Sequence, residues 1–157
     1  MFFLFAAALL ADSSQLVRPP LPGFKIANRA SANGVTIVEQ IPSKETIEKW
    51  SKMVTTQRFE GVAGRLDANS FLQLIAKGAR ETCSNAKVSD IRLVGETPQL
   101  RVDCPLNRAT GRSETFIMRA VMGTTDLHVY QVAWRRAPWP ADVQWGLAYL
   151  DSVKLKR

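Results

Sequence analysis

One histidine, His128, and two cysteines, Cys83 and Cys104, are all that 157 residues offer of the usual zinc ligands. A single imidazole excludes the ordinary multi-histidine zinc site, and the two thiols are better used on each other. No serine sits in a nucleophile elbow, and the glycines are scattered over turns without forming a phosphate-binding loop. There is no internal repeat and no low-complexity tract. The reading therefore expects no cofactor, no metal and no catalytic grouping. Carboxylate pairs suited to glycoside hydrolysis stay open, because their approach is spatial. Glu39, out of step in an apolar strand, is the carboxylate that stands out. It reads either as a site residue or as an edge-strand charge that discourages aggregation. His128 reads as a sheet residue or, in the rival view, as part of a small hydrolase site.

Basic residues are missing from the N-terminus, where none precedes Arg18. The run "MFFLFAAALL" is too short for a bilayer, which takes about 20 residues. It is followed by a small-residue exit at Ala11. Residues 1–11 thus read as an export signal, with an uncleaved anchor as the alternative. The absent basic region is met by a start further upstream or by the amino group of Met1 alone. No cysteine follows the run, so a lipoprotein linkage has no acceptor. Residues 12–22, polar and punctuated by proline, read as a linker to a single domain over 23–157.

In an exported chain an even pair of cysteines points to a disulfide. Cys83 continues the helical series Leu72, Ile75, Ala79, and Cys104 continues the strand series Leu100, Val102, so both face inward. Closing a loop of about 20 residues contributes on the order of 3 kcal/mol in the chain-entropy model.

With 46% hydrophobic and 22% charged residues the composition is that of a folded domain. Asn33-Gly34, between two alternating runs, signals a hairpin. In "SKETIEKWSKMVTTQRF" (43–59), Ile47, Trp50, Met53 and Val54 recur at helical spacing. Ser43 is placed to cap, and Glu45–Lys49 and Glu48–Lys52 are i,i+4 pairs. The expectation is a helix closing a core. A second helix runs from Ser70 to about Cys83, capped by Asn69 or Asp67. From residue 87 the period changes to two, giving a four-strand meander, and Pro140 opens a last helix lined by Val143, Leu147 and Leu150. The fold class is α+β. An antiparallel sheet, made of an N-terminal hairpin and a four-strand meander, carries helices packed on one face in the order β-β-α-α-β-β-β-β-α.

An excess of 21 Lys+Arg over 14 Asp+Glu favours acidic partners. Register sharpens this. If Ile91, Leu100, Val102, Met118 and Ala120 face the core, then Arg92, Arg101 and Arg119 share the outer face of the sheet, with Arg108 and Arg112 in the loop beyond. Arginine forks suit phosphate or carboxylate. Trp134 and Arg135, in "VAWRRAPWP", add a second contact or else pin the last helix. The expected partners are an anionic envelope ligand, a protein partner or the membrane surface. Nucleic acid is set aside because aromatics are not interleaved with these arginines. Ile117 and Val121, outward if Arg119 is, leave a structural subunit of an oligomer open as well.

Glu39, Pro42, Glu45, Thr46, Trp50, Met53, Val54 and Thr55 form a pattern that resembles small, uncharacterised exported proteins of Gram-negative bacteria. In those a strand ending in an acidic residue leads to a Pro-x-x-Glu-Thr helix start, then Trp and Met-Val-Thr. The resemblance covers about 40 residues and implies a periplasmic or secreted compartment and no activity. The order of elements is also similar to PsbP-like α+β sandwiches, by analogy alone. The combined expectation is a non-enzymatic binding or accessory domain of the envelope.

Overall fold

The computed structural model describes residues 14–157; the apolar run read as an export signal lies outside the described residues. The elements are β1 (Gln15–Val17), β2 (Phe24–Ala32), β3 (Val35–Pro42), β4 (Lys52–Phe59), α1 (Ala68–Thr82), β5 (Cys83–Ser84), β6 (Lys87–Val88), β7 (Arg92–Val94), β8 (Thr97–Asn107), β9 (Arg112–Met122), β10 (Leu127–Trp134), α2 (Pro140–Ser152) and β11 (Lys154–Lys156). The class is α+β, as expected. Asn33 and Gly34, with φ of 52° and 74°, turn β2 into β3. The short β7 and the long β8, β9 and β10 form the expected meander, and all pairings are antiparallel.

The segment 43–59 departs from expectation. Residues 43–51 are turns closed by a Thr46–Lys49 bridge, and the rest is strand β4, inserted between β3 and β10. Its strand character comes from the β-branched run Val54-Thr55-Thr56. Its resemblance to a helix comes from burial on both faces. Met53, Val54 and Thr55 are successive and all buried, so no period-two alternation appears. The i,i+4 pairs give way to a turn in which the Glu45 carboxylate accepts from Ser51 N and Oγ, both at 2.7 Å. The Pro-x-x-Glu-Thr motif is thus a turn and not a helix start. With β4 in place, hairpin and meander fuse into one nine-stranded sheet in the order β2-β3-β4-β10-β9-β8, and β5, β6 and β7 pair with β8 at the far side.

The helices also differ from expectation: they lie on opposite faces. Helix α1 starts at Asp67, whose carboxylate accepts from Ser70 N (2.9 Å) and Ser70 Oγ (2.6 Å). It buries Phe71, Leu72, Ala76 and Ala79 against Leu100, Val102, Met118 and Val129. Helix α2, opening at Pro140, buries Tyr149 and Leu150 on the other face, against Ile117, Tyr130, Val132 and Trp134. The physical reason is that the face bearing Arg119 also bears these apolar residues, and a face of that kind must be covered. Ile117 and Val121, which suggested a subunit interface, pack in the α2 cluster.

Cys83, where α1 ends, and Cys104 on β8 form the expected disulfide, with Cα atoms 5.5 Å apart. Both are buried. The stretch read as a linker carries β1, which pairs with β11 in a separate two-stranded sheet. Ser14, buried at its start, accepts from Thr124 N at 3.2 Å. The N-terminal segment is thereby tied across the α2 face. Among the described residues no helix is long and apolar enough to cross a membrane.

Candidate anion-binding face

Cross-strand register aligns one row over the whole sheet: Arg29 opposite Val38, Val38 opposite Thr56, Thr56 opposite Tyr130, then Arg119, Gln99 and Arg92. Directly paired residues of an antiparallel sheet point to the same side. The arginines expected to share a face, Arg92, Arg101 and Arg119, therefore do share it, and Arg29 and Arg58 join them from β2 and β4. Helix α2 and the N-terminal segment lie over the middle of this face. They divide it into two clefts.

Beneath α2, Arg119 is buried, at 4% exposure. Its Nε donates to Gln99 Oε1 (2.8 Å) and its Nη2 to Asp151 Oδ1 of α2 (2.6 Å). This corrects the expectation of an outward arginine: the guanidinium ties the last helix to the sheet. Trp134, 1% exposed, is likewise a packing residue beneath α2 and not a contact surface. Arg135 stacks over Trp50 at 4.3 Å and its backbone N donates to Ser51 O at 3.2 Å, which fastens the turn before β4. Neither lines the two clefts of this face.

The first cleft, about 550 Å³, lies between α2 and the β7–β8 hairpin. Ile117, Val143 and Leu147 form its aliphatic part, with Arg92, Arg101, Gln99 and Asp90 around it. Arg101 already binds Asp103 through two bonds of 3.0 and 2.8 Å, and Asp103 also accepts from Thr115. Asp90 and Asp103 thus balance the two arginines. Little net charge is left.

The second cleft, about 400 Å³, opens at the β2–β4 end of the same face. Arg18, Arg29, Arg58, Thr36, Thr56 and His128 line it, and among the described residues no carboxylate does. Arg18 Nη1 donates to Thr56 Oγ1 at 3.0 Å. Arg58 is held through Nε by Asp126 Oδ2 at 2.5 Å, and the other oxygen of Asp126 accepts from Gly61 N at 2.8 Å. Burial alone would raise the Asp126 pKa, but the Gly61 N–H and the Arg58 guanidinium outweigh it and hold the carboxyl below its usual range. Among the described residues Arg18 and Arg29 form no ion pair.

These arginines are the ones that sequence reasoning missed. Arg58 fell in a presumed helix and Arg18 in a presumed linker, so neither could be placed by strand register. Arg29 could have been placed: it alternates with Ile26 in the N-terminal hairpin, but the β-bulge between Ile26 and Asn28 shifts its face. Glu39 lies on β3, an interior strand, and accepts from Asn28 Nδ2 at 2.8 Å. The edge-charge explanation therefore does not hold. His128 is buried and borders the second cleft.

No protein-family model matches the chain, and no curated protein matches it. Among solved structures the chain is similar to LpqN of Mycobacterium tuberculosis, described as involved in cell envelope biogenesis. The likeness covers 93% of this chain and 86% of that one, at 10% sequence identity and a TM-score of 0.47.

Proposed function

We propose that the chain is an exported binding domain that takes an anionic ligand on the α2 face of the sheet, at the end bounded by β2, β3 and β4. One observation carries the reading: Arg18, Arg29 and Arg58 meet around a cleft whose lining, among the described residues, holds no carboxylate. A concave site lined by one sign of charge focuses the field and concentrates counter-ions. Arginine presents fixed donor pairs to phosphate or carboxylate oxygens. The exported setting is supported by the Cys83–Cys104 bond, which belongs to an oxidising compartment. The envelope and Gram-negative origin suggested by the motif residues remain part of this proposal.

The test is co-sedimentation with phosphatidylglycerol-containing vesicles. Binding should weaken with added salt and be largely lost in the double variant Arg18→Ser/Arg29→Ser, whose side chains are exposed. Equal binding by the variant, or binding indifferent to salt, would remove the proposal. The rival, a small hydrolase, draws support from His128 at the border of the same cleft. Turnover of a p-nitrophenyl ester that disappears in His128→Gln would favour that rival.

A further inference from the structure

We infer that the cleft between Arg18, Arg29 and Arg58 is a stoichiometric site for a compact phosphate-class oxyanion, a phosphate or phosphate monoester, and not a landing strip for an extended polyanion. The inference rests on the anion-binding reading above and narrows it.

Three features carry it. First, the guanidiniums come from three separate pieces of chain, namely the segment after β1, strand β2 and strand β4, and they converge on one cavity of about 400 Å³. That volume lies at the small end of the ~300–1,000 Å³ range of ligand pockets, which suits a phosphate and a small attached group. A surface for polymers would spread its charges along a track instead.

Second, two of the three guanidiniums are already held in place. Asp126 takes Nε of Arg58 and leaves its two terminal nitrogens. Thr56 Oγ1 takes one terminal nitrogen of Arg18. The hydroxyl hydrogen of Thr56 is then left to donate to a bound oxygen, in the same direction of polarity as the arginines. Fixing donors before the ligand arrives reduces the ordering cost of binding. Third, the Asp126 carboxylate, engaged by Arg58 and by the Gly61 N–H, offsets only one of the three positive charges. Among the described residues about two charges remain for the ligand, and a phosphate monoester brings roughly that number at neutral pH.

The β1–β11 pairing gives the site its wall. Ser14, Gln15 and Leu16 line the cleft as well as Arg18, and β1 is fixed by Lys154–Lys156. The cleft thus depends on an N-terminal segment that composition alone assigns to a linker.

The experiment is a two-dimensional NMR titration of the protein with sodium phosphate at constant ionic strength, with sodium chloride as control. A saturable shift at one-to-one stoichiometry is expected for the amides of Arg29, Thr56 and Arg58, absent with chloride. Arg18→Ser/Arg29→Ser should weaken the apparent affinity at least tenfold, and Arg92→Ser/Arg101→Ser should leave it unchanged. Shifts that grow linearly, that chloride reproduces, or that the first variant retains would overturn the inference. If phosphate fails while vesicle binding remains sensitive to Arg18 and Arg29, the compact site is wrong and the broader anion-binding reading survives. If phosphate saturates the site, vesicle binding that phosphate competes away assigns the natural source to a lipid headgroup. Vesicle binding that does not occur assigns it to a soluble phosphate.

Discussion

A methyl group on Gly146 of α2 would sit 2.8 Å from Cη2 of Trp134 and 3.0 Å from its Cζ2. The helix backbone lies directly on a buried indole, and this contact sets how deeply α2 seats over the sheet. Helix α2 covers Arg119, and its Val143 and Leu147 line the first cleft, so its seating shapes that cleft. Replacing Gly146 by Ala should cost about 1–3 kcal/mol by overpacking, against up to about 1 kcal/mol gained from helix propensity. Urea denaturation will measure the cost, and Trp134→Phe, which removes the crowded part of the ring, should recover part of it in the double variant.

The bond from Arg119 to Asp151 makes a related prediction with a different mechanism. Asp151→Asn leaves the buried guanidinium with Gln99 and a weaker acceptor. Stability should fall by about 1–3 kcal/mol, with unchanged binding at the Arg18–Arg29–Arg58 cleft. A large loss of anion binding in a folded Asp151→Asn protein would show that Arg119 acts on the ligand after all.

Acid stability should depend on Asp126. Its folded-state pKa lies below the ordinary value, so its contribution is complete above the ordinary carboxyl range near 3.8 and is lost as pH falls through the folded value. Thermal melts from pH 6 down to pH 2 should show a drop below about pH 4 that is smaller in Asp126→Asn. The variant should be the less stable of the two at pH 6, since Arg58 and Gly61 N lose a charged acceptor.

Glu114 has the opposite sign. Burial raises its pKa, the nearby charge of Arg135 opposes this, and Glu39 adds to it. A group of this kind favours folding at low pH, and that contribution is lost as pH rises through its folded value. Glu114→Gln should therefore raise the melting temperature at pH 7 and leave it unchanged well below pH 4.5. A lower melting temperature at pH 7 would mean that the Glu114 charge is held by a bond to Arg135 and is not a burden.

Much of the fold was legible because local chemistry and tertiary structure agree. Asn33-Gly34 needs positive φ and has it, Pro140 opens α2, Asp67 caps α1, and the two cysteines lie at the ends of inward-facing series. What could not be read is what depends on burial from both sides. Met53-Val54-Thr55, buried on both faces, loses the alternation that identifies a strand, and the turn before it supplies Trp50 and Ile47 at spacings that imitate a helix. That one misreading hid Arg58. Arg92, Arg101 and Arg119 share a face, as a period of two requires, but that period says nothing about what packs over the face, and here α2 covers it. Arg18 was hidden in another way: a three-residue strand paired with residues 154–156 leaves no local signature.

Crystals soaked in tungstate, a heavy oxyanion of phosphate-like geometry, test the central claim most directly. The account predicts an anomalous peak within hydrogen-bonding distance of Arg18, Arg29 and Arg58, at one ion per chain, and its loss in Arg18→Ser/Arg29→Ser. A peak beside Arg92 and Arg101 with none in the second cleft, or no ordered ion on this face, would contradict it.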